Sequence, residues 1–528
     1  MSKRILITDP IEKNCIEILE SNGFIVDYKP GIKEDEIISI IKDYVVLIVR
    51  SGTKVTKKII DAASSLELIA RAGAGVDNID VNAATHRGII VMNTPGGNTL
   101  STAEHTMALL LSMCRNIPKA NNELKQGIWD RKKYIGTELF GKRIGIIGLG
   151  KIGKEVAIRC KAFGMDVLGY DPILTQDAAQ KIGVKLVSID EIFETSDIIT
   201  VHVPFSNETK NLIDRNALKK CKDGVKIINC ARGGIVNEEA LLEALNNKKV
   251  SAAALDVFEN EPPQFPNELI SHPNVVVTPH IGASTREAQE KVAVQIAQQI
   301  VDYYNNGNLI GAVNAYTLEK NITDEIKPFL ELATTLGKFF SQISQENINT
   351  INLKYYGSVL DKYRQTLTAA FLIGFLSKKI TGTVNYVNAQ VLAEETGIKV
   401  SEAIEGEHIT YKNLMTIESK IDSTKTLISG TIFGLKEIRI VQINEFSMDI
   451  HPTKFMLLYE NVDKPGMLAT VGSILAKNQI NIAGLSLGRK QIGEKALTLM
   501  NLDSKLAYQT INEIKAIDGV GNIVFIEM

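Results

Sequence analysis

From Arg4 to about Val91, short apolar runs alternate with longer segments whose apolar positions recur at a helical spacing. The apolar runs are RILIT, VVLIVR, LELIAR and GIIVMN, and the segment IEKNCIEILESN is typical of the amphipathic ones. Uninterrupted apolar runs of this length are typical of strands that are covered on both faces. The pattern therefore predicts a doubly wound parallel sheet of the flavodoxin-like type.

A second series of apolar runs lies between Ile144 and His280, after the turn NTPGGN and a helix predicted from about Leu100 to Cys114. Its six predicted strands are RIGIIG, DVLGYD, DIITVHVP, VKIINCA, AAALDV and VVVTPH, enough for a complete nucleotide-binding sheet. The amphipathic segment TREAQEKVAVQIAQQIVDYYN then leads back toward the first sheet. We therefore expect one doubly wound domain inserted in another, with two crossings that form the hinge of a cleft.

Beyond Ala315 the pattern changes, with helices predicted at 326–343 and 365–379 and strands at INLKYYG, TLISGTIFG and IRIVQIN, which indicates an α+β unit. The C-terminal part reads strand, helix, strand, strand, helix, strand, the order of a ferredoxin-like βαββαβ module. The predicted domains are residues 1–98 with 284–316, residues 99–283, residues 317–452 and residues 453–528.

Composition narrows the class of protein. The 528 residues include 59 Lys and Arg against 61 Asp and Glu, so no basic stripe suggests nucleic acid or an anionic membrane as a partner. The first strand starts almost at once, and apolar runs such as AAFLIGFL are too short to span a bilayer, so we expect a cytoplasmic protein. The five cysteines show no metal-like pairing and are expected to be reduced thiols.

The run GKRIGIIGLGKIG carries the most specific chemical signal. Gly148 permits a tight turn after a strand, Gly150 lets the backbone approach a pyrophosphate, and Gly153 lets the next helix pack on the strand. That helix directs its N-terminal amides at the phosphates. Asp171, at the end of VLGYD, is placed to accept hydrogen bonds from the ribose hydroxyls of NAD and to repel the 2′-phosphate of NADP. The inserted domain is therefore predicted to be a Rossmann-type domain that binds NAD.

Three polar residues follow the carboxyl ends of strands predicted in that sheet, where ligands bind in open α/β folds: Arg232, Glu261 and His280. His280 suits the group that takes a hydroxyl proton as hydride leaves a secondary alcohol. Glu261 would stabilise the imidazolium and fix its tautomer, and Arg232 offers paired donors for a substrate carboxylate. Singly, each has a structural alternative as a capped loop histidine, a turn glutamate or a phosphate contact. Together, downstream of the glycine run, they favour hydride-transfer chemistry.

The other histidines give weaker signals. His202 ends the strand IITVHVP and is expected to line the cofactor pocket without catalysing. The remaining five have no acid partner at a suggestive spacing and are interpreted as structural: His86, His105, His272, His408 and His451. Because no His, Cys and Asp cluster has the spacing of metal ligands, no metal is expected.

The motifs GLGKIG with YDP, NCARGG, ALDVFENEPP and TPHIGAST together resemble the D-isomer-specific 2-hydroxyacid dehydrogenases. The segments RSGTKVT, RAGAGVDNID and VMNTPGGNTLSTAEH, with the C-terminal module, are similar to the long-form members that oxidise 3-phosphoglycerate to 3-phosphohydroxypyruvate in L-serine synthesis. Those members carry an intervening allosteric substrate-binding domain and a terminal ACT domain. The resemblance implies an NAD-dependent enzyme that assembles as a tetramer.

The resemblance also implies binding residues. The NAD contacts would be the glycines named above with Lys151, Ile152, Asp171, Cys230, Ala231, Arg232, Asp256, His280, Gly282 and Ala283. The substrate contacts would be Arg50, Ser51, Gly52, Ala74 and Gly75, with Arg131 and Lys133 from the partner subunit. A solvated charge run is the alternative for the last two. The sequence departs from some relatives by carrying Ala74 and Val203 in place of threonine, so a hydroxyl contact is absent at both positions.

In the C-terminal module, ENVDKPGML and NQINIAGLSL resemble the effector loops of serine-binding ACT domains, which pair edge to edge. The resemblance implies that Asn461, Asp463 and Asn481 bind L-serine, and a dimerisation module without a ligand is the alternative. Two other functions stay open for the whole chain. One is another 2-hydroxyacid dehydrogenase, such as a glyoxylate or hydroxypyruvate reductase, and the other is a corepressor-like protein that senses NAD(H) without catalysis.

Overall fold

Four β-sheets organise the chain in a computed structural model that describes residues 3–315, 323–344, 348–380, 383–421 and 424–528. The two N-terminal sheets are parallel throughout, and the two C-terminal ones are wholly or mostly antiparallel. The predicted boundary between residues 316 and 317 lies outside the described residues, and the domain limits stay a prediction.

The first sheet has five parallel strands in the order β2-β1-β3-β4-β5, the flavodoxin-like order. Its elements are β1 (Arg4–Ile7), α1 (Lys13–Ser21), β2 (Ile25–Tyr28), α2 (Glu34–Ile40), β3 (Val46–Val49), α3 (Lys57–Ala62), β4 (Leu68–Arg71), α4 (Val81–His86) and β5 (Ile90–Met92). The sequence predicted four of these strands and missed β2. This edge strand is half exposed and carries Asp27 among its four residues, so it lacks the continuous apolar run of a central strand.

The second sheet has seven parallel strands in the order β12-β11-β10-β9-β6-β7-β8. Its elements are α5 (Thr99–Cys114), α6 (Ile117–Lys125), β6 (Arg143–Ile147), α7 (Lys151–Ala162), β7 (Asp166–Tyr170), α8 (Gln176–Lys181), β8 (Lys185–Leu186), α9 (Ile189–Thr195), β9 (Ile198–Val201), α10 (Arg215–Lys220), β10 (Val225–Asn229), α11 (Glu238–Asn246), β11 (Val250–Leu255), α12 (Glu268–Ser271) and β12 (Val275–Val277). The prediction of six strands was one short, because β8 has only two residues. Strand β6 lies between β7 and β9, which makes the carboxyl end of β6 the switch point where such sheets bind ligands.

Two long helices join the two sheets. The first, α5, packs against α7 and the strands β10 to β12 of the second sheet. The second, α13 (Arg286–Asn306), begins at the side-chain cap of Thr285 and packs against α1 and β4 of the first sheet. Ala312 then pairs with Met92 at the edge of the first sheet. The inserted arrangement predicted from the sequence is therefore confirmed as a fold.

The third unit is built on a mixed sheet in the order β14-β13-β15-β16-β17-β18. Its elements are α14 (Lys327–Ile343), β13 (Thr350–Tyr356), α15 (Ser358–Lys362), α16 (Arg364–Leu376), α17 (Ala389–Glu395), β14 (Lys399–Glu405), β15 (Leu414–Ile421), β16 (Thr424–Phe433), β17 (Glu437–Ile443) and β18 (Phe446–Ile450). Helices α14 and α16 touch backbone to backbone, because a Cβ at Gly337 would lie 2.1 Å from the Phe371 carbonyl oxygen. Around this contact Phe340, Phe371 and Phe375 form the fully buried core of the unit.

The fourth unit is an antiparallel sheet in the order β20-β21-β19-β22, with two helices on one face. Its elements are β19 (Phe455–Val462), α18 (Met467–Lys477), β20 (Ile482–Arg489), β21 (Lys495–Leu502), α19 (Tyr508–Lys515) and β22 (Val520–Glu527). The predicted βαββαβ order is confirmed. Alternate residues of β19 face opposite sides, so Leu457 and Tyr459 contact the helices while Met456 and Leu458 join the core of the third unit.

Within the described ranges, no helix combines the length and the apolar character that crossing a membrane requires. All five cysteines are buried and unpaired: Cys15, Cys114, Cys160, Cys221 and Cys230.

Candidate active site

The glycine loop after β6 has the shape that a pyrophosphate requires. Gly148 has a φ of 93°, and a Cβ added at Gly153 would lie 2.0 Å from the Gly148 carbonyl oxygen. Gly150 precedes α7, faces open space and supplies no capping side chain. By contrast, the next six helices begin at capping side chains: Thr175, Ser188, Asp214, Asn237, Asn267 and Thr285. The first amides of α7 therefore have no side-chain cap, and the prediction that they bind an anion remains a prediction.

Asp171 lies one residue beyond β7, next to this loop. One of its carboxylate oxygens accepts a hydrogen bond from the Leu149 amide, and the other accepts bonds from the amides of Ile173 and Leu174, each at 2.9 Å. Partial burial acts to raise the pKa of this carboxyl, but the three amides outweigh it and hold the pKa below its ordinary value. The group is therefore ionised at neutral pH and keeps lone pairs for ribose hydroxyls.

His280 and Glu261 form a close pair beyond the ends of β12 and β11. His280 Nδ1 lies 2.6 Å from Glu261 Oε2, and the Phe258 amide donates to the other carboxylate oxygen at 3.1 Å. Partial burial acts to raise the pKa of Glu261, yet the bond and charge of His280, together with the Phe258 amide and Arg232, lower it below its ordinary value. A carboxylate can only accept, so Nδ1 carries the proton and Nε2 is the ring nitrogen left to react.

Arg232 reaches across from the second sheet to the first. Its Nε donates to the Asp77 carboxylate at 2.9 Å and its Nη1 donates to the Ala231 carbonyl at 2.7 Å. A Cβ added at Gly75 would lie 2.1 Å from Nη2, the other terminal nitrogen of Arg232. The loop predicted to receive a substrate carboxylate and the arginine predicted to assist it therefore meet in one crevice.

The turn after β3 forms another part of the same wall. Its shape depends on Asp9, which accepts hydrogen bonds from the backbone amides of Arg50 and Thr53. The Arg50 side chain donates to the Pro10 carbonyl at 3.0 Å, and Ser51 and Gly52 are exposed. Ala74, in the loop after β4, accepts a hydrogen bond from Asn93 through its carbonyl at 2.6 Å.

The remaining predicted cofactor residues surround the carboxyl ends of the strands. Lys151 reaches the Pro95 carbonyl in the first crossing, and Ile152 follows it in α7. Cys230 and Ala231 follow β10, and burial raises the pKa of the Cys230 thiol to about 12, so this group stays protonated. Asp256 follows β11 and accepts a hydrogen bond from the Gly282 amide, with Ala283 next in the chain. No group of three or more His, Cys, Asp or Glu residues in the described ranges is placed to hold a metal ion.

Known proteins similar to this chain cover its whole length. Three family models match: D-isomer specific 2-hydroxyacid dehydrogenase, NAD binding domain at residues 107–282, D-3-phosphoglycerate dehydrogenase intervening domain at residues 325–444, and ACT domain at residues 455–519. The D-3-phosphoglycerate dehydrogenase of Bacillus subtilis is 40% identical over 527 residues, which cover 99% of both chains. The chain belongs to the D-3-phosphoglycerate dehydrogenase family. The family predicted from the motifs is thereby confirmed.

Other members and relatives of the D-3-phosphoglycerate dehydrogenase family give the same result. The D-3-phosphoglycerate dehydrogenase of Archaeoglobus fulgidus is 41% identical over 527 residues, 99% of this chain and 100% of that one. Among solved structures, a glyoxylate reductase from Paecilomyes thermophila is 31% identical with a TM-score of 0.55, over 59% of this chain and 98% of that one. The Archaeoglobus fulgidus protein therefore matches almost the whole of this chain, and the glyoxylate reductase matches a little more than half of it.

Arg71, which the prediction of site residues omitted, lies in the same crevice. Its guanidinium is within 3.0 Å of the position that a Cβ of Gly75 would take, and one terminal nitrogen is buried without a hydrogen-bond partner. Burial, aided by the nearby charges of Arg232 and Arg50, lowers the pKa of Arg71 to about 10 despite Asp77 and Asp9. The signal in the sequence was its place as the last residue of β4 and the first residue of RAGAG.

Two of the five histidines that have no acid partner at a suggestive spacing in the sequence lie beside a carboxylate in the structure. His105 Nε2 lies 3.2 Å from Asp256, and His86 Nδ1 lies 3.2 Å from Glu395. In each case the acid is more than a hundred residues away in the chain, so no local spacing could reveal the pair.

The two basic residues predicted to serve a partner subunit lie in the exposed segment after α6. Lys133 pairs with Glu123, and the Arg131 side chain is exposed. In the described part of the chain, no hydrogen bond or ion pair connects either residue with the crevice of its own subunit.

The three predicted effector residues do not meet within one chain. Asn461 is buried and accepts from the Thr498 hydroxyl at 2.8 Å, and Asp463 accepts from Arg489 at 3.1 Å. Asn481 donates to Asp503 at 2.7 Å beyond the opposite end of the sheet. Across the intervening strand β21, the register puts Asn481 level with the residue before β19 and Asp463 just past the end of β19, about 30 Å apart along the strands at about 3.3 Å per residue.

Proposed function

We propose that this chain catalyses the NAD-dependent oxidation of 3-phosphoglycerate to 3-phosphohydroxypyruvate, the first step of L-serine biosynthesis. The proposal rests on the crevice between the first two sheets. There the 2.6 Å pair of His280 and Glu261 lies near Arg232, whose guanidinium contacts the substrate-domain loop at Asp77 and Gly75. A proton acceptor and an anion anchor are thus brought together at the carboxyl ends of the cofactor sheet.

His280 is the group that takes the proton from the substrate hydroxyl. Glu261 engages Nδ1, so Nε2 presents its lone pair to the crevice. When the proton arrives, the imidazolium is stabilised by the carboxylate that already accepts its other N–H. When bound, NAD would supply the hydride acceptor, and the carbon that bears the hydroxyl would lose its hydride as His280 Nε2 takes the hydroxyl proton.

The arginines favour a substrate with two anionic groups. Arg50, Arg71 and Arg232 lie close enough for their charges to repel, and burial deprives Arg71 of hydration without giving one of its nitrogens a partner. A carboxylate and a phosphate at opposite ends of a three-carbon chain would relieve this repulsion at two points. A simple 2-hydroxy acid would relieve it at one.

The glycine loop and Asp171 are the residues that would hold the cofactor. The contact between Gly153 and Gly148 leaves no space for a side chain, and Gly150 leaves space next to the uncapped amides of α7. An ionised Asp171 beside the loop favours NAD over NADP by charge repulsion of a 2′-phosphate.

We also propose an assembly in which subunits share residues. Arg131 and Lys133 would approach the substrate phosphate of a neighbouring subunit within a tetramer. Two ACT domains paired antiparallel through β20 would bring Asn481 of one chain toward Asn461 and Asp463 of the other, where L-serine would bind. The separation of these residues within one chain supports a site made by two chains.

The proposal is tested by following NADH production with 3-phosphoglycerate, D-glycerate and D-lactate. We expect kcat/KM for 3-phosphoglycerate to exceed both others by at least about a hundredfold, since a substrate without the phosphate leaves the buried nitrogen of Arg71 without a partner. Equal use of glycerate would favour the reductase alternative. Tight NADH binding without turnover of any hydroxy acid would favour the non-enzymatic alternative.

A further inference from the structure

A second histidine and carboxylate pair lies behind the proposed catalytic pair. His105, in α5, has a side chain that is 16% exposed, and Asp256 is 1% exposed. His105 Nε2 lies 3.0 Å from the Thr278 hydroxyl oxygen and 3.2 Å from Asp256 Oδ1. The proton transfer proposed above does not use His105.

The protonation of His105 Nε2 follows from its two neighbours. The Thr278 hydroxyl donates its single proton to Asp256 Oδ1 at 2.6 Å, because an ionised carboxylate can only accept. The hydroxyl has no second proton, so its oxygen can only accept a hydrogen bond from His105. Nε2 therefore carries a hydrogen, which it directs at both oxygens.

Asp256 in turn holds the turn that carries His280. Its carboxylate accepts from the amides of Ile281 at 2.9 Å and Gly282 at 2.8 Å, and its backbone carbonyl accepts from the His280 amide at 2.8 Å. His280 has a φ of 52°, in the left-handed region that non-glycine residues seldom adopt. Such a conformation persists only where the surrounding structure enforces it.

The ionisation of Asp256 agrees with this arrangement. Burial acts to raise the pKa of its carboxyl, yet the hydrogen bonds from His105 and Thr278 and from the Ile281 amide hold the pKa below its ordinary value. The carboxylate stays charged at neutral pH although it is almost fully buried, so the donors around it are needed.

We propose that His105 is a positioning residue that acts through Thr278 and Asp256 to fix the turn at 278–282. This turn presents His280 to the substrate and flanks the nicotinamide end of the cofactor site, so the inference rests on the proposed function. Helix α5 is also the first crossing between the two sheets. The contact at His105 therefore connects the crossing helix with the catalytic turn.

The test compares His105→Leu with His105→Gln. The glutamine amide can place an N–H where Nε2–H lies, but it cannot titrate, whereas leucine donates nothing. We expect kcat for 3-phosphoglycerate oxidation to fall about tenfold or more in His105→Leu, with KM for 3-phosphoglycerate within about twofold of wild type. His105→Gln should restore most of kcat. The optimum pH for oxidation should stay in place in His105→Gln, because the role is donation and not titration.

Ligand affinity gives a second readout that does not depend on turnover. ADP-ribose keeps the pyrophosphate and both riboses of NADH but lacks the nicotinamide ring. We expect His105→Leu to bind ADP-ribose like wild type and to bind NADH several-fold more weakly, and His105→Gln to bind both like wild type. Unchanged ADP-ribose binding also shows that the domain has folded.

A third variant tests the same inference independently, in case His105→Leu does not fold. Thr278→Val removes the hydroxyl that joins His105 to Asp256, and should give the same preferential loss of NADH over ADP-ribose. The double variant should lose little more than either single one, since both interrupt one chain of hydrogen bonds.

The outcomes separate the inference from the proposed function. Unchanged kcat and an unchanged ratio of NADH to ADP-ribose affinity in His105→Leu and Thr278→Val would overturn the role of His105. Wild-type enzyme that binds NADH without oxidising 3-phosphoglycerate would remove the substrate assignment, and the affinity ratio would still decide the inference. Wild-type enzyme that binds no NADH would overturn both.

Discussion

At the scale of single residues, the proposed proton transfer depends on the backbone of His280 as much as on its ring. The φ of 52° and the hydrogen bond from its amide to the Asp256 carbonyl aim the imidazole at Glu261. A substitution that tests the base should therefore preserve this backbone. Asparagine tolerates the left-handed region better than alanine and lacks a nitrogen that can accept a proton.

We predict that His280→Asn lowers turnover of 3-phosphoglycerate by about a hundredfold to ten-thousandfold, the usual contribution of a general base. NADH affinity should stay within a few-fold of wild type, because the glycine loop and Asp171 are untouched. Steady-state kinetics and fluorescence titration with NADH measure the two quantities. A loss of NADH affinity in proportion to the loss of turnover would show that His280 acts mainly in binding.

A second prediction concerns the charge of Glu261. Its pKa is lowered in the folded protein, so it is a carboxylate across the neutral range and stabilises the protonated form of His280. Glu261→Gln removes the negative charge beside the imidazole. Oxidation requires the unprotonated ring. The pH range over which kcat rises should therefore move to lower pH, and the maximal kcat should be lower than in wild type.

Glu259→Gln is the matched control for this experiment. Glu259 lies two residues away in the same loop, but its carboxylate accepts from the Glu238 amide and not from His280. Its pH profile should follow wild type. If the limb stays in place in Glu261→Gln, or moves equally in both variants, the pairing of Glu261 with His280 does not govern the reaction.

At the scale of elements, the sequence identified the strands that carry long apolar runs and the long helices α5, α13, α14 and α16. Strands β1, β3 and β6 lie in apolar runs and were predicted, whereas β2, β14, β15 and β18 were missed. Both β2 and β14 lie at sheet edges and have no fully buried position. The interior strand β15 (LMTIESKI) and the edge strand β18 (FSMDI) interrupt their apolar residues with polar ones. The two-residue strand β8 carries too little pattern to be seen. Periodicity reports burial, and edge strands are buried least.

Some residues of the candidate site could be predicted from the sequence and others could not. Arg232, Glu261 and His280 could be predicted because each follows the carboxyl end of a strand, a position that the pattern itself defines. The contacts of His105 could not, because its partner Thr278 is 173 positions along the chain. Arg71 also lies at the end of a strand, but the sequence alone gives no reason to place it in the site. The reason appears in the structure, where its guanidinium lies beside Gly75.

The glycine loop allows a prediction that separates folding from binding. A Cβ at Gly153 would lie 2.0 Å from the backbone oxygen of Gly148, a contact that cannot be relieved by a flexible side chain. We predict that Gly153→Ala lowers the thermal midpoint of the cofactor domain by several degrees and removes NADH binding with it. Differential scanning fluorimetry without ligand measures the first effect.

Gly150→Ala is the counterpart. Its Cβ would meet open space and its φ of −65° suits alanine, so the fold should be unaffected. NADH affinity should still fall at least about tenfold, because the methyl group would occupy the place proposed for the pyrophosphate. Equal NADH affinity in Gly150→Ala and wild type would mean that the phosphates lie elsewhere.

At the scale of the whole molecule, contacts connect the ACT unit with the first sheet. The Glu527 carbonyl at the end of β22 accepts from Gln342 and Lys378 of the third unit. The Asn388 side chain, at the start of α17, donates to the His86 carbonyl at the end of α4. Helix α4 follows directly on the loop of Asp77, which holds Arg232. Helix α16 packs against α17, so packed helices and hydrogen bonds join the ACT unit to the loop of Asp77, and a coupling between an effector and the crevice is tested by measuring it.

The last prediction tests that coupling. Asn481 lies at the surface just before β20, where its side-chain amide donates to Asp503, and within its own chain it is about 30 Å from Asp463. If two chains form the effector site, Asn481→Ala should raise the concentration of L-serine that halves activity by about tenfold, the effect of losing one hydrogen bond to a charged ligand. KM and kcat measured without serine should not change.

Asn478→Ala supplies the control, because Asn478 is exposed three residues earlier and its side-chain amide donates to the Ile474 carbonyl of its own helix. Serine sensitivity of this variant should match wild type. A mixture of Asn481→Ala and Asp463→Asn subunits discriminates further. In a two-chain site, each mixed dimer has one intact serine site, with Asn481 from the Asp463→Asn chain and Asp463 from the Asn481→Ala chain. The mixture should therefore recover part of the serine sensitivity that either variant alone has lost. In a site within one chain, no mixed dimer contains an intact site and no sensitivity returns.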